Sequence, residues 1–506
     1  MIHFIPYWKE ASDRNFIILQ RPWYYFDYRK FNYYMRYIEL FYNDNISKYQ
    51  IVFLDYIPRI KTILHYYNLL NVPYWSCFDC IQNIDNQTDK ILSFYDLSWP
   101  DKIEFFYTNF CVVAYLEEEK YAEIQFDEEG GFFEVDMFEE NRICCKKFYD
   151  ERGFLSMEQQ LGNGRIQKEI YYSDTGVWRI CCYTDGHVEV NPENNKYSII
   201  YQNKRRTYQM NVLGYSNISE LIYEVFSSYL ELYKLDKFCV SIEWINHFKM
   251  DEILFDKDII LAIESQNISN SNKDYKKLRE KGIRILIDDN QGMENNENVV
   301  SILPYFTFYE KKENVSITNN IFYNIDYVPN TILILSLNRL KKFVQSKNRL
   351  QVILYSRNRN SNSLLEYISK NLSISIEKQN NKNEFNFEKK SDGSFYFVEC
   401  LEENSFIECL KYQGLSIDLS NNPSLYTQVY CVDMGIPQFS MKQTNYIAHK
   451  KNGYIIDNDL SNFEDALHYF LDGLKHRNLA KIYCHKLQEQ FEVSTLKEKW
   501  KRLLRG

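Results

Sequence analysis

Glycine and proline are scarce in this sequence, and long apolar runs are absent. Only 16 of the 506 residues are Gly and 10 are Pro, so each Gly-containing dipeptide is a strong indication of a turn. The first 15 residues lack the basic segment and apolar run of a secretory signal peptide, and no apolar run has the length of a membrane span. We therefore expect a cytoplasmic protein whose 12 cysteines are reduced thiols.

Several motifs of enzyme active sites are absent as well. Neither the Gly-x-Gly-x-x-Gly nor the Gly-x4-Gly-Lys-Ser/Thr phosphate-binding pattern occurs, and the Gly-x-Ser-x-Gly elbow of many hydrolases is missing. One Cys-x-x-Cys pair, Cys77 and Cys80, has no second pair to complete a zinc site. We expect no metal and no cofactor. The net charge of −9 argues against a nucleic-acid partner.

The chain is long and contains many aromatic residues. At 506 residues it is too long for one hydrophobic core, so two or three domains are expected. The 43 Tyr and 34 Phe fit two explanations. One is an AT-rich genome, which the composition favours, and the other is a surface that stacks against sugars or peptides.

Strand-like and helix-like segments alternate in the first part of the chain. "QIVFLDY" is typical of a buried strand and "RIKTILHYYNLL" of the helix after it. An earlier helix has one apolar face, formed by Phe31, Met35, Ile38 and Phe41. The same rhythm returns after residue 210, where Asn217 is a predicted helix N-cap. This alternation predicts a sheet covered by helices.

Between residues 111 and 210 the pattern changes to closely spaced turns. They fall at Arg152-Gly153, Asn163-Gly164, Thr175-Gly176 and Asp185-Gly186, with β-rich runs between them. Asn-Gly and Asp-Gly suit tight hairpins because both central residues can adopt positive φ. The segment is therefore predicted to be an antiparallel sheet inserted in the first domain. Its basic run, 204–206, indicates a solvated edge more than a binding patch.

A second αβ unit is predicted from residue 346, beginning with the apolar strand "LQVILYS". Asn422 is a predicted N-cap followed by Pro423 at the first helical position, and this helix should end at Gly435. Further helices are predicted with a cap at Ser461 or Asn462, and with a capping box formed by Thr495 and Glu498.

The layout resembles the GT-B glycosyltransferases. The resemblance rests on two doubly wound units and on "MGIPQFSMKQTNYIAHKKNGYII", which is similar to the donor-side pattern of that class. It implies an α/β fold: a GT-B-like pair of Rossmann-type doubly wound domains with an inserted antiparallel β-meander domain. Residues 1–110 and 211–345 would form the N-terminal domain, 111–210 the inserted domain and 346–490 the C-terminal domain. Residues 491–506 would form a terminal helix that crosses back to the N-terminal domain.

The acidic pair of such transferases is missing from this pattern. Retaining members carry two glutamates separated by seven residues, the second lying five positions ahead of the glycine. Placed on Gly435, these positions hold Asn422 and Tyr430, and no Glu occurs between Glu408 and Glu464. Two other acids remain in the segment, Asp418 and Asp433, and each is read as a solvated or capping carboxylate.

The cations that would hold a donor diphosphate are incomplete. Arg357 and Arg359 follow the strand "VILYS", but the lysine expected a few positions later is absent. By analogy of position, the candidate ligand-binding residues are Arg357, Asn422, Ser424, Tyr426 and Thr444. Loop capping or solvent exposure explains each of them equally well.

A more particular resemblance covers nearly the whole chain. "FIPYW", "WSCFDCIQNI", the turn-rich segment and "NGYIIDNDLSNFEDALHYFLDGLKHRNLA" resemble the first of the three Asp proteins of the bacterial accessory Sec system. This resemblance implies a non-catalytic export component that binds a glycosylated serine-rich-repeat adhesin bearing N-acetylglucosamine. It implies as partners two companion Asp proteins and the accessory Sec motor ATPase.

The sequence is therefore compatible with three functions. The first is a non-catalytic adaptor that reads glycans through aromatic faces and amides between the two domains. The alternatives are an active GT-B glycosyltransferase that modifies the adhesin, and a scaffold that uses only protein surfaces. The basic residues of "STLKEKWKRLLRG" add a peripheral contact with the inner face of the membrane as an option, although basic helix faces are usually only solvated.

Overall fold

The computed structural model describes residues 1–7, 33–67, 69, 71–84, 92–127, 130–244, 258–263, 283–287, 299–302, 319–347, 350–356, 362–372, 376–379, 395–399 and 403–505. The chain forms two compact units, the first made mainly of residues 37–262 and the second mainly of residues 286–506. Hydrogen bonding continues the first unit's parallel sheet as far as Val299–Ser301. No helix within the described ranges is long and apolar enough to cross a membrane.

A seven-stranded sheet organises the first unit. Its described pairings are parallel, as expected for apolar strands buried on both faces. The chain order reverses between Ile2–Ile5 and Lys237–Ser241, and open α/β sheets bind ligands at such a reversal. In spatial order the strands are Val299–Ser301, Arg284–Ile287, Asp258–Ile263, Lys237–Ser241, Ile2–Ile5, Tyr49–Phe53 and Tyr74–Ser76.

The helices of this part of the chain follow the apolar periodicity of the sequence. They span Tyr33–Asp44, Ile60–Tyr66, Cys77–Gln82 and Ile218–Leu232. Met35, Ile38 and Phe41 are buried on one face as predicted, whereas Phe31 lies outside the described residues. The predicted cap at Asn217 is confirmed, because its side chain accepts the N–H of Glu220 at 3.2 Å.

The turn-rich segment forms a ten-stranded antiparallel sheet, as predicted. Its strands are Glu104–Tyr107, Val112–Leu116, Glu119–Phe126, Phe132–Glu139, Arg142–Asp150, Phe154–Gly162, Arg165–Tyr172, Trp178–Tyr183, Val188–Val190 and Gly214–Tyr215, in that spatial order. A separate two-stranded sheet pairs Lys196–Tyr201 with Lys204–Gln209. The side chains of residues 204–206 are exposed on the second of these strands, as a solvated edge requires.

The turn chemistry is only partly as predicted. Positive φ at both central residues occurs at Asn163-Gly164, but at the other three predicted turns only the glycine has it. At those three turns the glycine N–H donates to the carbonyl three residues earlier, as in Gly153 to Asp150 at 3.0 Å. Three hairpins of the described strands have two positive-φ residues without any glycine: Glu117-Glu118, Glu140-Asn141 and Gln202-Asn203.

The antiparallel sheet shares a hydrophobic core with the first parallel sheet. Met157 and Tyr171 of the antiparallel strands belong to the same buried cluster as Val52 and Phe78 of the αβ elements. A polar link crosses this core at Gln82, whose Nε2 donates to the carbonyls of Ser156 and Tyr172 at 2.9 and 2.7 Å. The inserted segment therefore packs as part of the first unit.

The second unit is built on another seven-stranded parallel sheet. Its spatial order is Ile376–Gln379, Phe395–Glu399, Val352–Ser356, Ile321–Asn324, Leu415–Asp418, Gln438–Ser440 and Gly453–Ile455. The described helices are Asn330–Gln345, Asn362–Leu372, Glu403–Lys411, Leu425–Met434, Phe463–Leu471, Leu474–Gln490 and Val493–Arg505. Chain order reverses here between Ile321–Asn324 and Leu415–Asp418, and four of the five predicted site residues follow strands at this carboxyl edge of the sheet.

Three sequence-based details of this unit need correction. The boundary at residue 346 is too late, because strand Ile321–Asn324 pairs with Val352–Ser356 and with Leu415–Asp418. Thr495 lies inside helix Val493–Arg505, so the capping box there is wrong. Asn462 occupies the N-cap position of helix Phe463–Leu471 without a side-chain cap. The remaining domain boundaries, and the crossing of 491–506 to the N-terminal domain, stay predictions.

Gly453→Ala is expected to destabilise the second sheet by about 1–3 kcal/mol. A Cβ at this position would lie 2.5 Å from the carbonyl oxygen of Gln438, its neighbour in the sheet, and 2.6 Å from Cγ2 of Ile447. Urea unfolding measures the loss. Gly214→Ala is the matched control, because a Cβ there meets only the Val188 carbonyl oxygen, at 3.8 Å. Equal losses in the two variants would contradict the prediction.

Candidate functional site

Four of the five predicted ligand-binding residues follow the carboxyl ends of neighbouring strands in the second sheet. Asn422, Ser424 and Tyr426 come after strand Leu415–Asp418, and Thr444 comes after Gln438–Ser440. The fifth, Arg357, lies outside the described residues, as does Arg359. The structure therefore shows the burial and contacts of the other four side chains.

Asp418 is the polar centre of this edge of the sheet. Its Oδ1 accepts from the N–H and the hydroxyl of Ser420 at 3.1 and 2.7 Å. Its Oδ2 accepts from the N–H of Ser424 at 2.9 Å and from Nδ2 of Asn324 at 3.0 Å. The carboxyl group is buried, so the solvated alternative is wrong for Asp418 and the capping alternative is confirmed.

Among the described residues, the electrostatics of this edge do not favour a bound anion. Burial raises the pKa of Asp418, although hydrogen bonds from Ser420, Ser424 and Asn324 lower it. A phosphate at a helix N-terminus is bound by N–H groups of the first turn and of the loop that leads into it. Here the carboxyl group of Asp418 already accepts two N–H groups of that loop, from Ser420 and Ser424. A donor diphosphate would compete with Asp418 for the same hydrogen bonds.

Ser424, rather than Asn422, caps the helix that follows. Helix Leu425–Met434 begins one residue after Ser424, whose hydroxyl accepts the N–H of Thr427 at 3.3 Å. The prediction of an N-cap at Asn422 with Pro423 inside the helix is therefore wrong. Asn422 is exposed, which leaves its amide accessible to solvent. The predicted end of this helix at Gly435 is confirmed by its positive φ of 70°.

Tyr426 belongs to the hydrophobic core of the second unit. Its side chain is 3% exposed, and its ring packs against Phe406 and Tyr430 with centroid distances of 5.4 and 4.6 Å. A ring enclosed in this way offers no open face to a sugar. Tyr426 therefore packs in the core beneath the loop that follows strand Leu415–Asp418. Its ring does not form a stacking surface in this conformation.

Thr444 also has a structural role in the described residues. Its hydroxyl donates to Oε1 of Gln428 at 2.6 Å and accepts the N–H of Tyr446 at 3.3 Å. These contacts tie the segment after strand Gln438–Ser440 to helix Leu425–Met434. Asp433, near the end of the same helix, is half-buried, and Gln488 donates to its main-chain carbonyl at 2.9 Å.

A buried acid at the carboxyl edge of the first sheet escaped the sequence-based predictions. Asp55 follows strand Tyr49–Phe53, and no described donor reaches its Oδ2. Burial raises the pKa of Asp55 to about 8. The pKa of Tyr7, which follows Ile2–Ile5, is raised by burial and then by Asp55 and Glu243. The sequence feature that could have indicated this buried acid is its position directly after the apolar run "IVFL".

The family model of the first Asp protein of the accessory Sec system matches residues 1–506. A protein of the same description from Streptococcus gordonii is 26% identical over 541 residues, which cover 99% of this chain and 98% of the relative. Among solved structures, a chain of the "Glycosylation Associate Protein (Gap123) complex" from Streptococcus agalactiae is 28% identical. It has a TM-score of 0.74 over 99% of both chains.

The fold extends to glycosyltransferases of much lower sequence similarity. The pneumococcal O-GlcNAc transferase GtfA, solved in complex with UDP and GlcNAc, superposes with a TM-score of 0.66. The superposition covers 98% of the transferase chain and 100% of this one. The sequence identity is 12%, so the similarity concerns the fold alone. The predicted fold class, a GT-B-like pair of parallel-sheet domains with an antiparallel sheet, is confirmed.

Proposed function

We propose a non-catalytic role in adhesin export for this chain, which belongs to the family of the first Asp protein of the accessory Sec system. In this role it binds a glycosylated serine-rich-repeat adhesin that bears N-acetylglucosamine. It acts together with two companion Asp proteins and near the accessory Sec motor ATPase. The first of these associations is supported by the structural relative from Streptococcus agalactiae, which is a chain of a complex.

The observation that carries the proposal is the use of Asp418. A sugar-nucleotide transferase stabilises a departing diphosphate with preorganised donors and cations. In this chain the N–H groups of Ser420 and Ser424 donate to Asp418, at 3.1 and 2.9 Å, in front of helix Leu425–Met434. The two positions of the transferase acid pair hold Asn422 and Tyr430. The arrangement supports binding without bond cleavage.

Sugar recognition by such a chain would use hydrogen bonds from an amide and a guanidinium group. Asn422 is exposed beside the Asp418 loop and remains a candidate contact together with Arg357. Ser424, Tyr426 and Thr444 would act indirectly, by fixing this loop. We expect an affinity of about 1 mM per sugar, equivalent to roughly 4 kcal/mol, which the many glycans of a repeat substrate would strengthen through avidity.

The decisive experiment compares binding and turnover with the same reagents. The reconstituted complex of this chain and its companions is immobilised and exposed to glycosylated or unglycosylated adhesin repeats. We expect retention of the glycosylated form only, and no transfer or hydrolysis when labelled UDP-N-acetylglucosamine is added. Equal retention of both forms would refute glycan reading. Release of UDP above that of a denatured sample would instead favour the transferase alternative.

A further inference from the structure

The outermost strand of the ten-stranded sheet exposes an unusual set of side chains. Strand Glu104–Tyr107 forms one end of the sheet, and none of the described strands pairs with its outer side. Phe106 and Tyr107 are 52% and 66% exposed, and Phe110 in the following turn is 56% exposed. Edge strands are commonly protected by short length, Lys, Pro or a bulge. The opposite end of the sheet, Gly214–Tyr215, is protected by having two residues.

Aromatic rings lie on both faces of this edge strand. On one face the hydroxyl groups of Tyr107 and Tyr95 are in contact, and the ring of Tyr95 packs against Phe105 at 5.3 Å. On the other face Phe106 packs edge-on against Tyr115 at 5.3 Å. Exposed aromatic rings on both sides of a backbone would be covered together by one further strand.

The backbone of the same strand has hydrogen-bonding groups directed outwards. The N–H of Thr108 donates to the carbonyl of Cys111 at 3.0 Å, and the register continues with Tyr107 opposite Val112. Hydrogen-bonded and non-bonded pairs alternate along an antiparallel ladder. This alternation turns the N–H and C=O of Phe105 and Tyr107 away from the sheet, where a partner strand would find them.

Charge distinguishes the two ends of this edge. Glu104 is exposed and lies opposite Tyr115, close in register to the exposed turn residues Glu117 and Glu118. The cation that follows this turn, Lys120, is paired with Glu123 at 2.5 Å. Asp101 and Lys102, exposed just before the strand, are of opposite sign, so this end of the edge keeps an acidic net charge. The other end is aromatic, which matches a segment with a basic end and an apolar end.

We propose that strand Glu104–Tyr107 is the docking site for an extended segment of a companion protein, which adds an eleventh strand to the sheet. Apolar side chains of that segment cover Phe106 and Tyr107, and a Lys or Arg faces Glu104 and the turn at Glu117-Glu118. The docking site rests on the proposed function, since it presupposes assembly with companion proteins. It names the part of this chain where one of them binds.

The test measures assembly of the full-length chain with its purified companions by titration, at low and high salt. Tyr107→Pro removes an outward N–H without removing a ladder hydrogen bond, and Tyr107→Ala controls for the lost ring. We expect the proline variant to bind at least about tenfold more weakly than the alanine variant. Phe106→Lys should also weaken assembly, and Glu104→Lys should abolish the salt dependence. Leu235→Lys, at a turn residue that is 93% exposed, should leave assembly unchanged.

Hydrogen exchange provides a readout that does not depend on any variant. In the wild-type complex the amides of Phe105 and Tyr107 should become protected, and urea unfolding checks that each variant is folded. Normal assembly by folded edge variants, or unprotected amides, would overturn the docking site and leave the proposed function intact. Failure of the wild-type chain to assemble would refute the proposed partners. Pairing of two copies through this edge, or loss of glycan binding alone, would also overturn the docking site.

Discussion

Replacing Arg152 with methionine is expected to lower the free energy of unfolding by about 3–5 kcal/mol. The buried guanidinium donates from Nε and Nη2 to the two carboxylate oxygens of Asp150, both at 2.7 Å. It also donates twice to Asp79 of helix Cys77–Gln82, at 2.9 Å each. This cation therefore links the antiparallel sheet to the αβ part of the first unit. Without it, Asp150 remains as a buried charge with no counter-ion.

Urea unfolding at neutral pH is the measurement for this variant. Arg142→Met is the matched control, because Arg142 is exposed at the start of the same strand, Arg142–Asp150. Burial raises the pKa of Asp150 whereas Arg152 lowers it, so the deficit of Arg152→Met should shrink as the pH falls. The double variant with Asp150→Asn should recover part of the loss. A deficit no larger than that of the control would show that this ion cluster contributes little.

The sequence was most informative where structure depends on neighbouring residues. The apolar strands, the helix stripe of Met35, Ile38 and Phe41, and the cap at Asn217 all follow from local spacing, and the structure has each of them. The hairpin at Glu117-Glu118 escaped detection because Glu-Glu carries no turn signal, although both residues adopt positive φ. Strand pairing imposes that conformation over local preference.

Site residues were harder to interpret because their roles depend on distant partners. Asn422 and Ser424 are both good N-cap types. Ser424 is the one that caps the helix, because its hydroxyl accepts the N–H of Thr427 while its own N–H donates to Asp418. From the sequence alone, Tyr426 is a plausible binding residue. Its packing against Phe406, twenty positions away, shows that the ring belongs to the core. Local sequence could name the loop, but it could not say which of its side chains point inward.

Asp55→Asn is expected to change how stability depends on pH, by about 5 kcal/mol between pH 4 and pH 8. Burial raises the pKa of Asp55 to about 8, whereas an unfolded chain loses this proton near pH 4. Between these values the folded protein keeps a proton that the unfolded chain has released. Its free energy of unfolding therefore falls by roughly 1.4 kcal/mol for each pH unit and levels off above pH 8. Asparagine has the same shape but no proton to retain.

Unfolding by urea at four pH values from 4.5 to 8 would measure the difference between Asp55→Asn and the wild type. The variant should gain steadily on the wild type as the pH rises, while Asp101→Asn, an exposed acid, should run parallel to the wild type. No described donor reaches Oδ2 of Asp55, and a hydrogen bond from its own main-chain N–H offsets only part of the cost of ionising the buried carboxyl group. Its position after strand Tyr49–Phe53, beside the reversal of strand order, is where this class of sheet binds ligands. Parallel curves for Asp55→Asn and the wild type would mean that the buried acid ionises as easily in the folded protein as in the unfolded chain.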